Sequence, residues 1–241
     1  MNTTIFDAWM PVSGVAEDQF ELVTLDLYRN IHKGIRAELF DITQSAGRID
    51  PCSRVERARL ADHITTVGDV LAMHAHQEDL VIDPVLHAQL PDLAEVVELD
   101  HAVLGPRFAG VVELARHAVE AADADERRLT HLLYLELSGF TSAYLAHQVV
   151  EERIVMPARL AVAGVEAVTA MHSAIGRNIP PDVMLRGLAF MLPAMNIEER
   201  TTALTGMRRS APPEVFATVS SLARSVLTPA DYAALAARLE E

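Results

Sequence analysis

The 241-residue chain has a single cysteine, Cys52. One thiol excludes a disulfide framework, and a thiolate metal site would need more sulfur. Aromatic residues make up only 5% of the chain, while Ala, Leu and Val dominate, a balance that disfavours a β-sandwich and favours helices. Basic residues are also few. Twenty Lys and Arg stand against 34 Asp and Glu, a net charge of −14. Phosphate backbones attract basic patches, so nucleic acid is a poor partner for this chain. No apolar run reaches the ~18 residues of a membrane span. No basic-then-apolar leader opens the chain, which starts with polar and acidic residues from Met1 to Asp7. The resulting expectation is a cytoplasmic protein with neither membrane nor nucleic acid as partner. Hairpin turn signals and alternating strands of useful length are missing as well.

What the chain does have is helical periodicity. Half of it is hydrophobic, enough for one sizeable core. Phe20, Val23, Leu27, Ile31, Ile35 and Leu39 recur at three- and four-residue steps, which predicts a first helix over residues 17–43. Asp50-Pro51-Cys52-Ser53 reads as a break with Ser53 as N-cap. A second helix is expected over 54–82, limited by Pro84. Pro91-Asp92 opens a third, reaching about residue 122. A fourth is expected over 126–156, stopping near Pro157. Short links make successive helices antiparallel neighbours. The fold class is therefore all-α: an up-down-up-down four-helix bundle over residues 1–158, followed by a C-terminal extension of short helices over 159–241. That extension is cut by Gly164, Gly176, Pro180-Pro181, Pro193 and Pro212-Pro213. Short helices are expected after Pro181, over 198–207 and 213–227, and from Thr228-Pro229 onward, all packing on the bundle.

Two segments repeat a pattern. His74-Ala75-His76-Gln77-Glu78 is followed by Pro84, and His147-Gln148-Val149-Val150-Glu151 by Pro157. Each is His-x-x-x-Glu with a proline six residues beyond the glutamate. Residues four apart share a helix face, so each pair can direct an imidazole and a carboxylate at one point. Two such pairs on different helices make a nitrogen-and-oxygen pocket suited to a first-row transition metal. The remaining two helices offer His32 and His101. The ends of helices two and four should lie level with the start of helix three, which suits His74, His147 and His101. His32 falls mid-to-late in its expected helix, and fits only if that helix starts later or the helices are offset. If both glutamates bridge, each of two metals receives two histidines and two carboxylate oxygens, and a bridging oxygen leaves an open position on each. Iron is the usual metal for such redox chemistry, and manganese or zinc would suit the same ligands.

The other six histidines read as non-ligands. His76 lies ~200° around the helix from His74, and His117 and His131 lie ~160° from the ligand face. His63 shares the His74 face but is ~16 Å away. His87 and His172 fall in or near connections. Glu98-Leu99-Asp100-His101 has the Glu-x-x-His spacing of ferritin-like ligands, but no second match accompanies it. Asp100, Glu98 and Glu152 are candidates to accept the second N–H of a ligand histidine. Tyr28 and Tyr144 each lie about one turn from a candidate ligand and could present a phenol to the site. Asp79 and Glu152 point ~100° away from their neighbouring glutamates and read as solvated acids.

The order His, His-x-x-x-Glu, His, His-x-x-x-Glu resembles the hemerythrin-like (HHE) family over residues 19–158. Ala75-His76-Gln77-Glu78-Asp79 with Pro84, and Tyr144-Leu145-Ala146-His147 with Glu151-Glu152, carry the resemblance. Met191-Leu192-Pro193-Ala194 and Ala211-Pro212-Pro213-Glu214 are similar to the tail of actinobacterial members. The resemblance implies two iron ions, oxo- or hydroxo-bridged, held by His32, His74, Glu78, His101, His147 and Glu151. It implies a small ligand such as O2, H2O2 or NO, with room for a small-molecule substrate. One departure bears on function. Oxygen-carrying hemerythrins have a further histidine one turn after the third-helix ligand, and here that position is Gly105. The six-ligand pattern favours an oxidase or catalase-like oxidoreductase. The alternative is a protein that binds or senses O2, NO or iron without turnover.

Overall fold

The structure is a computed structural model and describes residues 22, 23 and 25–240. Among these all regular structure is helical. In chain order the helices are α1 (Arg29–Ala46), α2 (Arg54–Gln77), α3 (Asp83–Gln89), α4 (Pro91–Glu120), α5 (Ala124–Val150), α6 (Met156–Asn178), α7 (Pro181–Ala194), α8 (Ile197–Ser210), α9 (Pro213–Val226) and α10 (Pro229–Glu240). Short π-helical turns, Glu78–Ile82 and Glu151–Val155, join α2 to α3 and α5 to α6. The chain divides into two compact units. Of the described residues, one unit holds those before Arg29 with Leu39–Asn178; the other holds Arg29–Glu38 with residues 179–240.

In the first unit α4 packs against α2 and α5. Ile64, Val67 and Val70 from α2, Leu104, Phe108 and Val111 from α4, and Leu133, Leu137 and Phe140 from α5 are buried. Their three- and four-residue spacing is the apolar stripe of a core-facing helix. The rings of Phe108 and Phe140 meet at 4.7 Å. Ser53 caps α2, its hydroxyl accepting from the Glu56 amide at 3.3 Å, a contact of about 1 kcal/mol. The Thr43 and Thr141 hydroxyls hydrogen-bond at 2.9 Å, tying the end of α1 to α5.

Among the described residues the first helix starts at Arg29; residues 22, 23 and 25–28 are not helical, and the start expected near residue 17 lies outside the described residues. Asp26 explains the late start: its side chain accepts from the Tyr28 amide at 2.9 Å, a local bond that holds the preceding residues in a bend. Val23 and Leu27 keep the apolar spacing without being helical, and Phe20 lies outside the described residues. The fourth helix does not stop at Pro157 either. A proline removes an amide donor and crowds the carbonyl four residues back. The π turns absorb this. In each, the amide five residues on bonds to the glutamate carbonyl, Asp83 to Glu78 and Met156 to Glu151. The wider turn lets Pro84 and Pro157 follow without ending the helical path. Residue 158, the expected bundle boundary, lies inside α6, and the compact unit continues to Asn178. The path bends at Gly164, whose φ of 77° suits a residue without Cβ. By length and composition the stretch Ala124–Asn178 is apolar enough to cross a membrane, although its most apolar window includes charged residues.

The second unit has its own apolar core: Leu188, Leu192, Met195, Leu204, Val219, Ala223, Leu227 and Leu235. Two of its short helices carry side-chain N-caps. Asn196 and Glu199 form a reciprocal capping box, and the Thr228 hydroxyl accepts from the Asp231 amide at 3.1 Å. Lys33 and Glu199 pair at 2.7 Å.

Candidate metal centre

The two π turns begin at the two glutamates of the repeated motif. His74 lies in the last turn of α2, four residues before Glu78 opens the first π turn; His147 lies in the last turn of α5, four residues before Glu151 opens the second. The four-residue spacing sets His74 Nε2 3.3 Å from Glu78 Oε1, and His147 Nε2 3.3 Å from Glu151 Oε2. His101, on α4, places Nε2 3.2 Å from Glu78 Oε2 and 4.0 Å from Glu151 Oε1. The two oxygens of Glu78 therefore face different imidazoles.

His32 is in the first turn of α1 and fully buried. Two overlapping sets of donors result. Within the first unit His74, Glu78 and Glu151 offer ligand atoms all within 4.8 Å of one another, and so do His101, His147 and Glu151. Five of the six candidate ligands are thus brought into these two sets, with Glu151 common to both; His32 belongs to the second unit.

The donor set fits a cation. Both Glu78 oxygens and His147 Nε2 are sealed from solvent and have no hydrogen-bond partner, despite lying 3.2–3.3 Å from nitrogen or oxygen. Close nitrogen–oxygen approach without hydrogen-bond geometry is the pattern of ligands aimed at a shared point. A buried carboxylate without a partner is costly, and a bound cation would supply that partner. Imidazole nitrogen with carboxylate oxygen suits first-row transition metals.

The electrostatics agree. Burial pushes Glu151 up to about 8, with Glu78 adding to the rise and His147, His101 and Arg159 opposing it. Burial also holds Glu78 well above the usual carboxylate range, helped by Asp83 and opposed by Arg159. Without a cation each carboxylate tends to keep a proton.

Around these donors stands a ring of supporting groups. His147 Nδ1 lies 3.2 Å from Asp100 Oδ2, and His101 Nδ1 lies 3.4 Å from Asp79 Oδ1. A carboxylate on the far nitrogen fixes the tautomer that leaves Nε2 free to ligate. Asp100 is where the sequence put a supporting acid. Asp79 is a correction: it is solvent-exposed, yet α4 brings His101 to it. Glu98 instead pairs with His87 at 2.8 Å on the surface. His63 is half-buried and 3.7 Å from Asp41, and His76, His117, His131 and His172 are exposed.

Both tyrosines are buried. The Tyr28 hydroxyl accepts from Arg159 Nη1 at 2.9 Å. The Tyr144 ring lies 5.6 Å from the His147 ring. Burial raises both phenols well above their ordinary value near 10, and the Glu78 and Glu151 charges push the same way, so both stay protonated. Sequence reasoning missed Arg159, 1% exposed, and the buried Asp83, Gln77 and Gln148. Arg159 had one available signal: it shares residues 154–168 with a single other charge, Glu166. Gly105 is exposed, and a Cβ there would meet nothing within 4 Å.

A family model, the Hemerythrin HHE cation binding domain, matches residues 23–180. The chain belongs to this hemerythrin family, whose domain binds metal cations. No curated protein and no solved structure matches it.

Proposed function

We propose that the chain is a non-haem di-iron protein that reacts with dioxygen or peroxide as an oxidase or catalase-like oxidoreductase. His32, His74, Glu78, His101, His147 and Glu151 hold the two ions. The observation that carries the reading is Glu78, whose two buried oxygens face His74 on one side and His101 on the other, as a carboxylate between two ions would. When bound, the iron pair supplies electrons and coordination positions to a small oxygen ligand. The chain's own residues do the rest. Asp100 and Asp79 orient His147 and His101. Tyr28 and Tyr144 keep their protons at the buried end of the site, where the Tyr28 hydroxyl is held by Arg159. The apolar helix faces exclude bulk water. Gly105, in place of the carriers' further histidine, leaves the ligand set without the asymmetry that suits reversible oxygen carriage.

Purified protein is tested for oxygen release from hydrogen peroxide and for oxygen consumption with a reductant. Turnover that disappears in His74→Ala is the expected result. A metal-loaded protein that binds peroxide or oxygen in a long-lived complex, with no turnover, would make it a binding or sensing protein instead.

A further inference from the structure

Beside the centre lies a second set of cation donors. Asp79, Asp83 and His101 offer ligand atoms within 4.8 Å of one another. The π turn builds this set. Its extra residue places Asp83 five positions after Glu78, with the Asp83 amide on the Glu78 carbonyl, while Asp79 and Asp83 keep the four-residue spacing that shares a face. His101 enters from α4, with Nδ1 3.4 Å from Asp79 Oδ1. The set grades from water to interior. The Asp79 side chain is 60% exposed, the His101 side chain 15% exposed, and Asp83 is buried at 6%. Asp83 Oδ1 is shut from solvent and has no hydrogen-bond partner. A buried carboxylate oxygen left without a donor, beside a second acid and an imidazole nitrogen, is what a cation would complete.

The position of this set gives it a role. His101 turns Nδ1 towards Asp79 and Nε2 towards Glu78, 3.2 Å away. A cation held by Asp79 and Asp83 would stand one imidazole ring from the inner donors. His101 is also more exposed than His74, His147 or His32. We propose that in the metal-free protein Asp79, Asp83 and the unprotonated Nδ1 of His101 form an outer divalent-cation site that captures the metal from solvent before it passes to the six-residue centre, where His101 ligates through Nε2 and its proton moves to Nδ1, facing Asp79. This rests on the reading of that centre as a metal site. Two acids at the mouth of a buried site raise the local concentration of divalent cations and the rate of their capture.

The test is filling of the metal-free full-length protein with Co2+ under anaerobic stopped flow, read by cobalt absorption, with final cobalt per chain measured separately. The Asp79→Asn, Asp83→Asn double variant fills about tenfold more slowly, in the range expected for lost electrostatic capture, and at saturating Co2+ reaches the same final cobalt content, the lost carboxylate on His101 Nδ1 showing in affinity and not in stoichiometry. Asp79→Asn alone, at an exposed position where folding is not at stake, slows filling by a smaller factor. Asp69→Asn, a like-charged surface change elsewhere on the unit, leaves the rate unchanged. Wild-type rates in both Asp79 variants would overturn the proposal. So would a double variant with normal rates but less bound cobalt, since the acids would then belong to the inner centre. Wild-type protein that takes up no cobalt would instead remove the reading of the six-residue centre itself.

Discussion

Arg159 and Arg200 are both buried, and their surroundings set the two units apart. Arg200, in the second unit, is satisfied on every nitrogen: Nε donates to the Leu192 carbonyl at 2.7 Å, Nη2 to the Pro193 carbonyl at 3.0 Å, and Nη1 to Asp231 at 3.1 Å. Arg159, in the first unit, donates through Nη1 to Tyr28, while Nε and Nη2 have no partner. The same contrast runs through both interiors. The second unit encloses an apolar cluster. The first buries Glu78, Asp83 and Gln148, each with polar atoms that no other protein group satisfies. Buried polar groups without partners cost stability. The difference teaches that the second unit is completed by its own side chains, whereas the first is organised around something the chain does not itself supply.

Metal removal should show this contrast most visibly. A ligand bound at about a thousand times its Kd adds about 4 kcal/mol to the folded state, which for a chain of this size moves Tm by roughly 10 °C. Hydrogen-exchange mass spectrometry should then show faster exchange over residues 54–178 and no change over 181–240. Equal loosening of both regions would erase the contrast.

The metal-free protein should also carry a pH dependence. Glu151 rises from an ordinary value of 4.5 to about 8, and Glu78 rises too. A carboxylate whose folded pKa is raised binds more protons folded than unfolded, so its stability is fully present below about 4.5 and is lost as pH climbs through about 8. Thermal melts of metal-free protein should fall across that window. A cation replaces the proton, so the loaded protein should show a much flatter profile. Identical slopes with and without metal would contradict the assignment.

Glycines sharpen the comparison at smaller scale. In the second unit, a Cβ at Gly34 would sit 2.9 Å from the Phe190 carbonyl carbon, a backbone atom that cannot swing aside. Gly34→Ala should cost about 2 kcal/mol by overpacking, measured by urea unfolding. Asp100→Asn should weaken metal binding about tenfold, since it removes the carboxylate from His147 Nδ1; a competition titration with a chelator reads this. Gly105→Ala should be the mildest change, stabilising by at most about 1 kcal/mol through helix propensity, because its Cβ meets open space.

The ligand pattern was legible because it is local. His-x-x-x-Glu fixes two donors on one face by spacing alone, and both copies, His74 with Glu78 and His147 with Glu151, pair as that spacing requires. The helical class was legible from composition and apolar spacing, as were the short C-terminal helices opened by Pro181, Pro213 and Pro229. What escaped was set by tertiary structure or by departures from 3.6-residue geometry. Pro84 and Pro157 looked like helix stops, since nothing local announces the π turns that carry the chain past them. Val23 and Leu27 kept an apolar rhythm that Asp26 interrupts through a side-chain bond. Asp79 looked solvated until His101 arrived from another helix. Arg159 has no periodic signature, and its burial depends on Tyr28, far away in sequence.

The most direct measurement is metal per chain in natively purified protein, by elemental analysis with an optical spectrum, compared across wild type, His74→Ala and His147→Ala. The account requires two iron equivalents and the spectrum of a coupled iron pair in the wild type, with both lost or halved in each variant. Wild-type protein with one ion or none, or variants that keep the full complement, would contradict it.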